Sequence, residues 1–410
     1  MFLVKRDYSN KNFIIKGFIS SIFLSAFIYL SYFNIEYKIL NTILGLFALY
    51  LLLVIPRKGL FVSGFFTGIL WCWWMAVSLQ YYDLSALTPV ILICLGLSFA
   101  IMFSCFALYD RLTFRILTIF GFTFFAPFGF NWMKFELLFI DSYIKTDKLS
   151  FFLILVSFYF LIKLKKYKFL SVIPLLFTIN LAKDINIPAP SVDIYMPQMN
   201  VNQNLRWDKH YKATLEQENF NEINNAISQQ KDLVVLPETA FTSVLNRNET
   251  LFEKLKDLSK NIDIITGGLY IENEKIYNAS YHFSKGEVQI AKKVVLVPFG
   301  EEIPFPKFFV DLINDIFYNG AQDYSKASEP TDFLIKNEKF RNAICYEATT
   351  DKIFENLGDT KYMIAISNNA WFTPSIEPIL QDLLLKYYSK RYEVNIYHVV
   401  NGTPNKVYLP

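Results

Sequence analysis

Cysteine and histidine are scarce in this chain of 410 residues, which has four of the first and three of the second. The histidines, His210, His282 and His398, stand far apart, and no cysteine or carboxylate lies at metal-ligand spacing from them. We therefore expect neither a metal nor another cofactor. The sequence also lacks the GxSxG, GxxxxGKS/T and GxGxxG motifs, which removes the commonest hydrolase and nucleotide-binding sites.

A strong excess of positive charge is missing as well. The formal net charge is only +3, and the polar second half has no basic patch interleaved with aromatic residues. Binding of nucleic acid normally depends on such a patch, because it must neutralise phosphates. No nucleic-acid partner is therefore expected.

Apolar and aromatic residues, in contrast, are abundant. Aromatic side chains make up 18% of the chain, and the mean hydropathy of +0.27 is high for a soluble protein. The apolar excess is confined to residues 1–182, where several runs reach the ~20 residues that a helix needs to cross a bilayer core. We predict about seven membrane spans, at residues 13–33, 38–55, 60–80, 86–108, 114–132, 150–164 and 168–182.

The distribution of lysine and arginine orients these spans. With the N-terminus inside, 12 basic residues fall in cytoplasmic segments and 4 fall on the opposite side, as the positive-inside rule requires. The cytoplasmic residues are Lys5, Arg6, Lys11, Lys16, Arg57, Lys58, Arg111, Arg115, Lys163, Lys165, Lys166 and Lys168, and the others are Lys38, Lys134, Lys145 and Lys148. An odd number of spans delivers the rest of the chain to the outer face of the membrane.

The composition changes abruptly after residue 182. Pro188, Pro190 and Pro197 prevent the last span from continuing as a helix, so residues 183–196 are predicted to be a linker that overlaps the start of a second domain at 190–410. Short β-type runs alternate there with helical patterns at 208–229, 248–260, 306–318 and 376–391, which indicates an α/β layered domain. The predicted strands are 192–195, 233–236, 262–266, 277–283, 294–297, 333–336, 342–346, 363–367 and 394–400.

Three segments of the second domain place a reactive group beside an apolar run. Glu238 follows Leu233–Pro237, Lys293 precedes Val294–Pro298, and Cys345 follows Asn342–Ile344. Together they supply a proton acceptor, a cation for a developing oxyanion, and a nucleophile. Each also has a structural explanation when taken alone: Cys345 as a core side chain, Glu238 as a helix cap, and Lys293 as a surface lysine.

In this order the three segments resemble the nitrilase superfamily, the carbon–nitrogen hydrolases with a Glu-Lys-Cys triad. The resemblance covers about residues 190–405 and depends on four motifs: LPE at 236–238, LVPFGE at 296–301, CYE at 345–347 and SNNAWF at 367–372. With membrane spans in front, the chain is similar to the apolipoprotein N-acyltransferase family. Trp207, the stretch Gly129–Trp132, and Gly320 with Asp323–Ser325 match further features of that family.

The resemblance implies a multi-pass helical membrane domain followed by an α-β-β-α nitrilase-like sandwich. It implies that Glu238 is the general base, Lys293 the oxyanion-stabilising cation and Cys345 the nucleophile. Trp207, Glu301, Tyr346 and Glu347 match supporting or substrate-binding positions, although Glu301 with its neighbour Glu302 also reads as a solvated turn.

The implied activity is acyl transfer at the periplasmic side of the bacterial inner membrane. The donor is a phospholipid, a thioester forms on Cys345, and the acceptor is the N-terminal amine of a diacylglyceryl-modified apolipoprotein. One alternative is a membrane-anchored amidase or nitrilase that uses water as the acceptor. A transporter or binding scaffold is a third, although the spans carry few ionisable residues.

Three departures from the family pattern stand out. Asn369 occupies a position that is usually Asp, and Thr373 one that is usually Gly. The resemblance also implies a final membrane helix, whereas this sequence ends at Pro410.

A last feature is an amphipathic stretch at residues 305–318. Its apolar residues repeat at helical spacing, with acidic and amide side chains opposite. The stretch is interpreted either as a helix packed on its own domain or as a flap at the membrane surface that guides acyl chains towards Cys345.

Overall fold

The computed structural model describes residues 3–164, 166–181, 185–304, 308, 310 and 324–410. The amphipathic stretch at 305–318, together with Gly320 and Asp323, therefore lies outside the described residues, apart from Phe308 and Val310. The chain divides into two compact units. The first comprises Met1–Ala126, Met133–Lys183 and Pro374–Leu383, and the second comprises Pro127–Trp132, Asp184–Thr373 and Leu384–Pro410.

The first unit is helical, because its long apolar runs contain few residues that interrupt a helix. Its α-helices, within the described residues, are α1 (Leu3–Tyr32), α2 (Lys38–Val54), α3 (Arg57–Cys72), α4 (Thr88–Cys105), α5 (Leu112–Phe122), α6 (Lys148–Lys163) and α7 (Val172–Phe177). In the part of the chain that the structure describes, four helical stretches are long and apolar enough to cross a membrane: Asn12–Tyr32, Arg57–Tyr82, Ser85–Cys105 and Leu112–Gly129. Shorter apolar helices occupy Lys38–Val54 and Lys168–Phe177.

Small residues let these helices approach closely. A Cβ atom on Gly64 of α3 would lie 2.4 Å from the carbonyl oxygen of Phe99 in α4, which no side chain tolerates. A Cβ on Gly17 of α1 would lie 2.5 Å from the carbonyl oxygen of Gly59. Close backbone contact at small residues is how helices associate in a lipid environment, where burial of apolar surface gives little driving force.

The described residues of the second unit form two five-stranded sheets. The first has the order β1-β2-β3-β4-β5 and the second the order β10-β9-β8-β7-β6. Strands β1 to β3 pair in parallel, as do β7 to β9, and the remaining pairs are antiparallel. The strands are β1 (Ile194–Tyr195), β2 (Leu233–Val235), β3 (Asp263–Glu272), β4 (Lys275–Ser284), β5 (Glu287–Lys292), β6 (Asp332–Ile335), β7 (Glu338–Ile344), β8 (Tyr362–Asn368), β9 (Asn395–Asn401) and β10 (Lys406–Tyr408).

The two sheets pack face to face through their apolar side chains. Leu233, Val235 and Ile265 of the first sheet share a core with Ile344 and Ile366 of the second. Alternate residues of each strand point to the outer faces, as the two-residue period of a strand dictates. The central parallel strands are therefore buried on both sides.

Helices cover the outer faces. The buried side of α9 (Lys212–Ser228) and α10 (Glu249–Leu258) joins Val234 and Ile264 in a second core. On the other side, Ser389 of α11 (Glu377–Tyr392) donates a hydrogen bond to the carbonyl oxygen of Tyr408 in β10. A short helix, α8 (Gln203–Arg206), follows β1. The α-β-β-α sandwich expected from the sequence is confirmed.

Candidate active site

Cys345 is the first residue after β7, and its backbone is in the left-handed region with φ of 54°. That conformation is uncommon for a residue other than glycine and tends to occur at functional sites. A short 3-10 turn, Cys345–Thr349, begins there. The side chain packs against the core between the sheets, and the residue as a whole is partly exposed.

Glu347 holds this turn in place. Its buried carboxylate accepts hydrogen bonds from the backbone N–H groups of Ile344 at 2.8 Å, Val294 at 2.7 Å and Val295 at 3.2 Å. Burial raises the pKa of Glu347 to about 7, whereas Lys293 and the three N–H donors act in the opposite direction. Glu347 thus ties the segment after β5 to the start of the Cys345 turn.

The same contacts explain one wrong prediction. Residues 294–297 were expected to form a strand because they are apolar, but in the structure they form an irregular segment. The amides of Val294 and Val295 bind the Glu347 carboxylate, and the amide of Val297 binds Glu301 Oε2 at 2.9 Å. Those N–H groups are consequently committed to carboxylates and do not join a sheet.

Lys293 is completely buried and surrounded by carboxylates. Its Nζ lies 2.7 Å from Glu301 Oε2 and 4.0 Å from Glu238 Oε1. Burial alone would lower the pKa of Lys293, but Glu301, Glu238, Cys345 and Glu347 outweigh it, and the pKa is raised. The surrounding negative groups therefore favour the protonated form of Lys293, and Cys345 is one of them.

Glu238 lies at the end of the segment that continues from β2, and it is 8% exposed. Burial raises the pKa of its carboxyl, whereas Lys293 lowers it. The carboxylate does not serve as a helix cap: the next described helical turn along the chain, a 3-10 turn at Leu245–Arg247, begins seven residues later, and Glu238 Oε1 accepts a hydrogen bond from Asn278 Nδ2 at 2.8 Å. A buried carboxylate with a raised pKa is suited to accept a proton.

Asn278 is a site residue that the sequence prediction missed. Its Nδ2 donates to Glu238 Oε1 at 2.8 Å and to Glu301 Oε1 at 3.0 Å, so it bridges two carboxylates that would otherwise repel each other. Asn278 lies inside β4 and is 4% exposed. The available signal was weak: asparagine is uncommon inside strands, and Asn278 stands within β4.

The remaining predicted residues differ in their placement. The Tyr346 side chain is buried, and its hydroxyl donates to the carbonyl oxygen of Gly129 at 2.9 Å and accepts from the backbone N–H of Asn131 at 3.1 Å. Trp207 is 50% exposed and directly follows α8. Glu301 and Glu347 therefore lie in the charged cluster. The Tyr346 hydroxyl instead binds the backbone of Gly129 and Asn131.

Two of the three departures from the family pattern are single residues in the described part of the chain. Asn369 is buried and donates from Nδ2 to Thr403 Oγ1 at 3.3 Å, and Thr373 is half-buried. Among the described residues, no group of three His, Cys, Asp or Glu side chains is arranged to hold a metal ion.

These features define a class of protein: an α-β-β-α domain that follows, along the chain, a helical domain with stretches long enough to cross a membrane. Residues 11–181 match the family model described as the apolipoprotein N-acyltransferase integral membrane domain. Among solved structures, a CN-hydrolase superfamily protein from Xanthomonas campestris is 15% identical with a TM-score of 0.40, covering 51% of this chain and 76% of that one.

Two curated relatives are more similar in sequence. The apolipoprotein N-acyltransferase of Wolinella succinogenes is 40% identical over 95% of this chain and 94% of its own length. The apolipoprotein N-acyltransferase of Helicobacter pylori is 37% identical over 90% of this chain and 88% of its own length. The chain belongs to the apolipoprotein N-acyltransferase family, and it is a bacterial membrane protein.

Proposed function

We propose that this protein transfers an acyl chain from a phospholipid to the N-terminal amine of a diacylglyceryl-modified apolipoprotein, through a thioester on Cys345. One observation carries the proposal. The Oε1 atom of buried Glu238 lies 4.0 Å from the Nζ atom of buried Lys293. Cys345, in a strained turn at the end of β7, is one of the groups that raise the pKa of Lys293. A base, a cation and a nucleophile are the groups that acyl transfer requires.

The first half-reaction forms the thioester. Glu238 accepts the thiol proton as the Cys345 sulfur attacks the ester carbonyl carbon of the phospholipid. Lys293 Nζ and the backbone N–H of Tyr346 stabilise the resulting oxyanion, and one such donor is typically worth about 3 kcal/mol. Collapse of this intermediate breaks the ester C–O bond, and the lysophospholipid oxygen leaves with the proton from Glu238.

The second half-reaction transfers the acyl group. The free amine of the acceptor attacks the thioester carbonyl, and Glu238 takes the proton that the amine loses. The C–S bond then breaks, an amide forms, and the thiolate recovers its proton from Glu238. Glu301 and Asn278 support both steps, because they fix the positions of Lys293 Nζ and the Glu238 carboxylate.

The membrane domain supports an acyltransferase over a simple hydrolase. Donor and acceptor both reside in a bilayer, so an enzyme that joins them benefits from helices that cross it. Trp207, half-exposed at the end of α8, is proposed to contact substrate. Several helices of the first unit are long enough to span a bilayer, and about seven spans in all remain our proposal.

The products distinguish acyl transfer from hydrolysis. Purified protein is incubated with phospholipid vesicles and a diacylglyceryl lipopeptide that has a free N-terminal amine, and the products are quantified by mass spectrometry. The proposal expects N-acylated lipopeptide and lysophospholipid in equal amounts. Free fatty acid in place of the amide, with the acceptor saturating, would instead assign the site to a hydrolase.

The periplasmic location of the second unit is tested with topology reporters. We place the unit outside the bacterial inner membrane, on the basis of the 12-to-4 distribution of lysine and arginine. A reporter active only in the cytoplasm is fused after Arg57 or after Ser191. Activity is expected at Arg57 and silence at Ser191, and the reverse result would place Cys345 in the cytoplasm.

A further inference from the structure

Arg206 is a buried cation that the mechanism above does not use. It is the last residue of α8 and is only 2% exposed, although the adjacent Trp207 is 50% exposed. Burying a guanidinium is costly unless its donors are satisfied and its charge is compensated. Among the described residues, Arg206 has no carboxylate within salt-bridge distance, so the reason for its burial lies in its other contacts.

Those contacts are made to the backbone of the catalytic base. Arg206 Nη2 donates to the carbonyl oxygen of Glu238 at 2.8 Å and also to the carbonyl oxygen of Thr239. Thr239 has φ of 49°, so the base is followed by a residue in the left-handed region. Two charge-assisted hydrogen bonds are suited to hold a backbone in such a strained conformation.

Strand β3 also contacts this turn. A Cβ atom on Gly267 would lie 2.4 Å from the Thr239 nitrogen and 2.7 Å from the Glu238 Cα, so only glycine allows the strand to come so close. The Glu238–Thr239 peptide therefore contacts both strand β3 and the Arg206 guanidinium. The Glu238 side chain itself contacts Asn278 and Lys293.

The charge of Arg206 also acts on Glu238. Burial raises the pKa of the Glu238 carboxyl, and Arg206 is one of the groups that oppose the rise. Burial lowers the pKa of Arg206 itself to about 10, while Glu238 acts to raise it, so the guanidinium stays protonated at neutral pH. The same residue therefore fixes the position of the base and favours its ionised form.

We infer that Arg206 is a positioning residue for the catalytic base, which it holds through the Glu238 and Thr239 carbonyls while contributing a compensating positive charge. The inference rests on the proposed function, because it takes Glu238 to be the proton acceptor. It adds a residue that acts through Glu238.

The test compares two buried arginines. Arg341 is also 2% exposed and also donates to backbone carbonyls, those of Ile353 and Glu355, but it pairs with Asp332. Arg206→Met, Arg206→Lys and Arg341→Met are prepared in the full chain. Thermal unfolding and the pH dependence of Cys345 acylation by phospholipid are measured, the latter by mass spectrometry of the Cys345 peptide.

Arg206→Met is expected to slow acylation about 10- to 100-fold, the span that loss of a charge-assisted hydrogen bond produces. The phospholipid KM should stay near that of the wild type. The acid limb of the profile should move to higher pH, since Glu238 loses a cation that favours its ionised form. Arg206→Lys, which keeps the charge, should retain the wild-type limb with an intermediate rate. Arg341→Met should lower the unfolding temperature and leave the limb unmoved.

Two failures are distinguishable. If the wild-type protein forms no adduct on Cys345, the proposed function fails. If the wild type forms the adduct but Arg206→Met shows the same unmoved acid limb as Arg341→Met, Arg206 is a structural residue and the inference is overturned.

Discussion

Two lysine–glutamate clusters lie next to each other at the end of β5, and they differ in burial. Lys292 Nζ lies 2.6 Å from Glu272 Oε2, with side chains 25% and 42% exposed. Lys293 Nζ lies 2.7 Å from Glu301 Oε2, with side chains 0% and 12% exposed. The surface cluster places Lys292 over the rings of Tyr270 and Tyr277, whereas the interior cluster adds Glu238, Asn278 and Cys345.

The same two residue types, lysine and glutamate, therefore have different roles at the surface and in the interior. A surface ion pair gains little because water screens it and two long side chains must be ordered. In the interior, the same pair interacts strongly, but it exists only because every charge there has partners. Lys293 is held by two carboxylates, and one of these is the base of the proposed reaction. Chemistry is expected from the interior cluster alone.

Removal of the Cys345 thiol should have the largest effect, because the thiol is the proposed nucleophile. The surface cluster contains no such group. Cys345→Ala is expected to reduce amide formation by about 10⁴-fold or more, as loss of a covalent nucleophile does. The unfolding temperature should change little, because the side chain is small and partly exposed. Cys105→Ala, at an exposed position in α4, is the control and should retain full activity. Substantial activity in Cys345→Ala would contradict the assignment of the nucleophile.

Conservative replacement of each lysine sharpens the contrast. Lys293→Arg is expected to slow acyl transfer about 100- to 1000-fold, because a planar guanidinium cannot replace a compact buried ammonium at an oxyanion. Lys292→Arg should be nearly silent, since an exposed guanidinium can still pair with Glu272. Steady-state rates of both variants check this, and equal rates would show that burial does not distinguish the two lysines.

The pH dependence tests the bridge between the interior carboxylates. The hydrogen bond from Asn278 is one of the interactions that oppose the effect of burial on the Glu238 pKa. Asn278→Ala should raise the Glu238 pKa further. Glu238 must be ionised to accept a proton, so as the pH falls the variant should lose activity at a higher pH than the wild type. Asn246→Ala, whose amide bonds to the Ile271 backbone, is the control. An acid limb that moves equally in both variants would contradict a specific role for Asn278.

The smallest effect is expected from Lys292→Ala. Loss of an exposed ion pair and its ring contacts should cost less than about 1 kcal/mol of unfolding free energy. Acyl transfer should stay within about twofold of the wild type, since typical surface substitutions are nearly neutral. Chemical denaturation measures the unfolding free energy, and steady-state assays measure the transfer rate. A large loss of transfer rate would show that Lys292 contributes to the active site.

Much of the second unit could be predicted, because buried parallel strands are apolar runs with clear ends. The strand predicted at 363–367 corresponds to β8 at Tyr362–Asn368, and that predicted at 394–400 to β9 at Asn395–Asn401. The edge strand β5 was missed, since exposed Glu287 and Gln289 interrupt its apolar pattern. The hairpin strands β3 and β4 extend beyond their apolar portions, because turn geometry and not hydrophobicity ends them.

The site was predictable only in part. Motifs identified Glu238, Lys293, Glu301, Cys345 and Glu347, whose clustering the structure describes. Asn278 and Arg206 were missed, because a single amide in a strand and an arginine beside a tryptophan look ordinary until their partners are known. Residues 294–297 were predicted to be a strand, because nothing local in the sequence shows that the amides of Val294 and Val295 bind Glu347, which lies 53 residues after Val294.

The acylation state of Cys345 shows whether the proposed reaction passes through a thioester. Wild-type protein is incubated with phospholipid in the absence of an amine acceptor, digested, and the Cys345 peptide is weighed by mass spectrometry beside Glu238→Gln. The account predicts an acyl adduct on Cys345 in the wild type, its release on addition of lipopeptide, and no adduct in Glu238→Gln. An unmodified Cys345 peptide in a preparation that still produces the amide would contradict it.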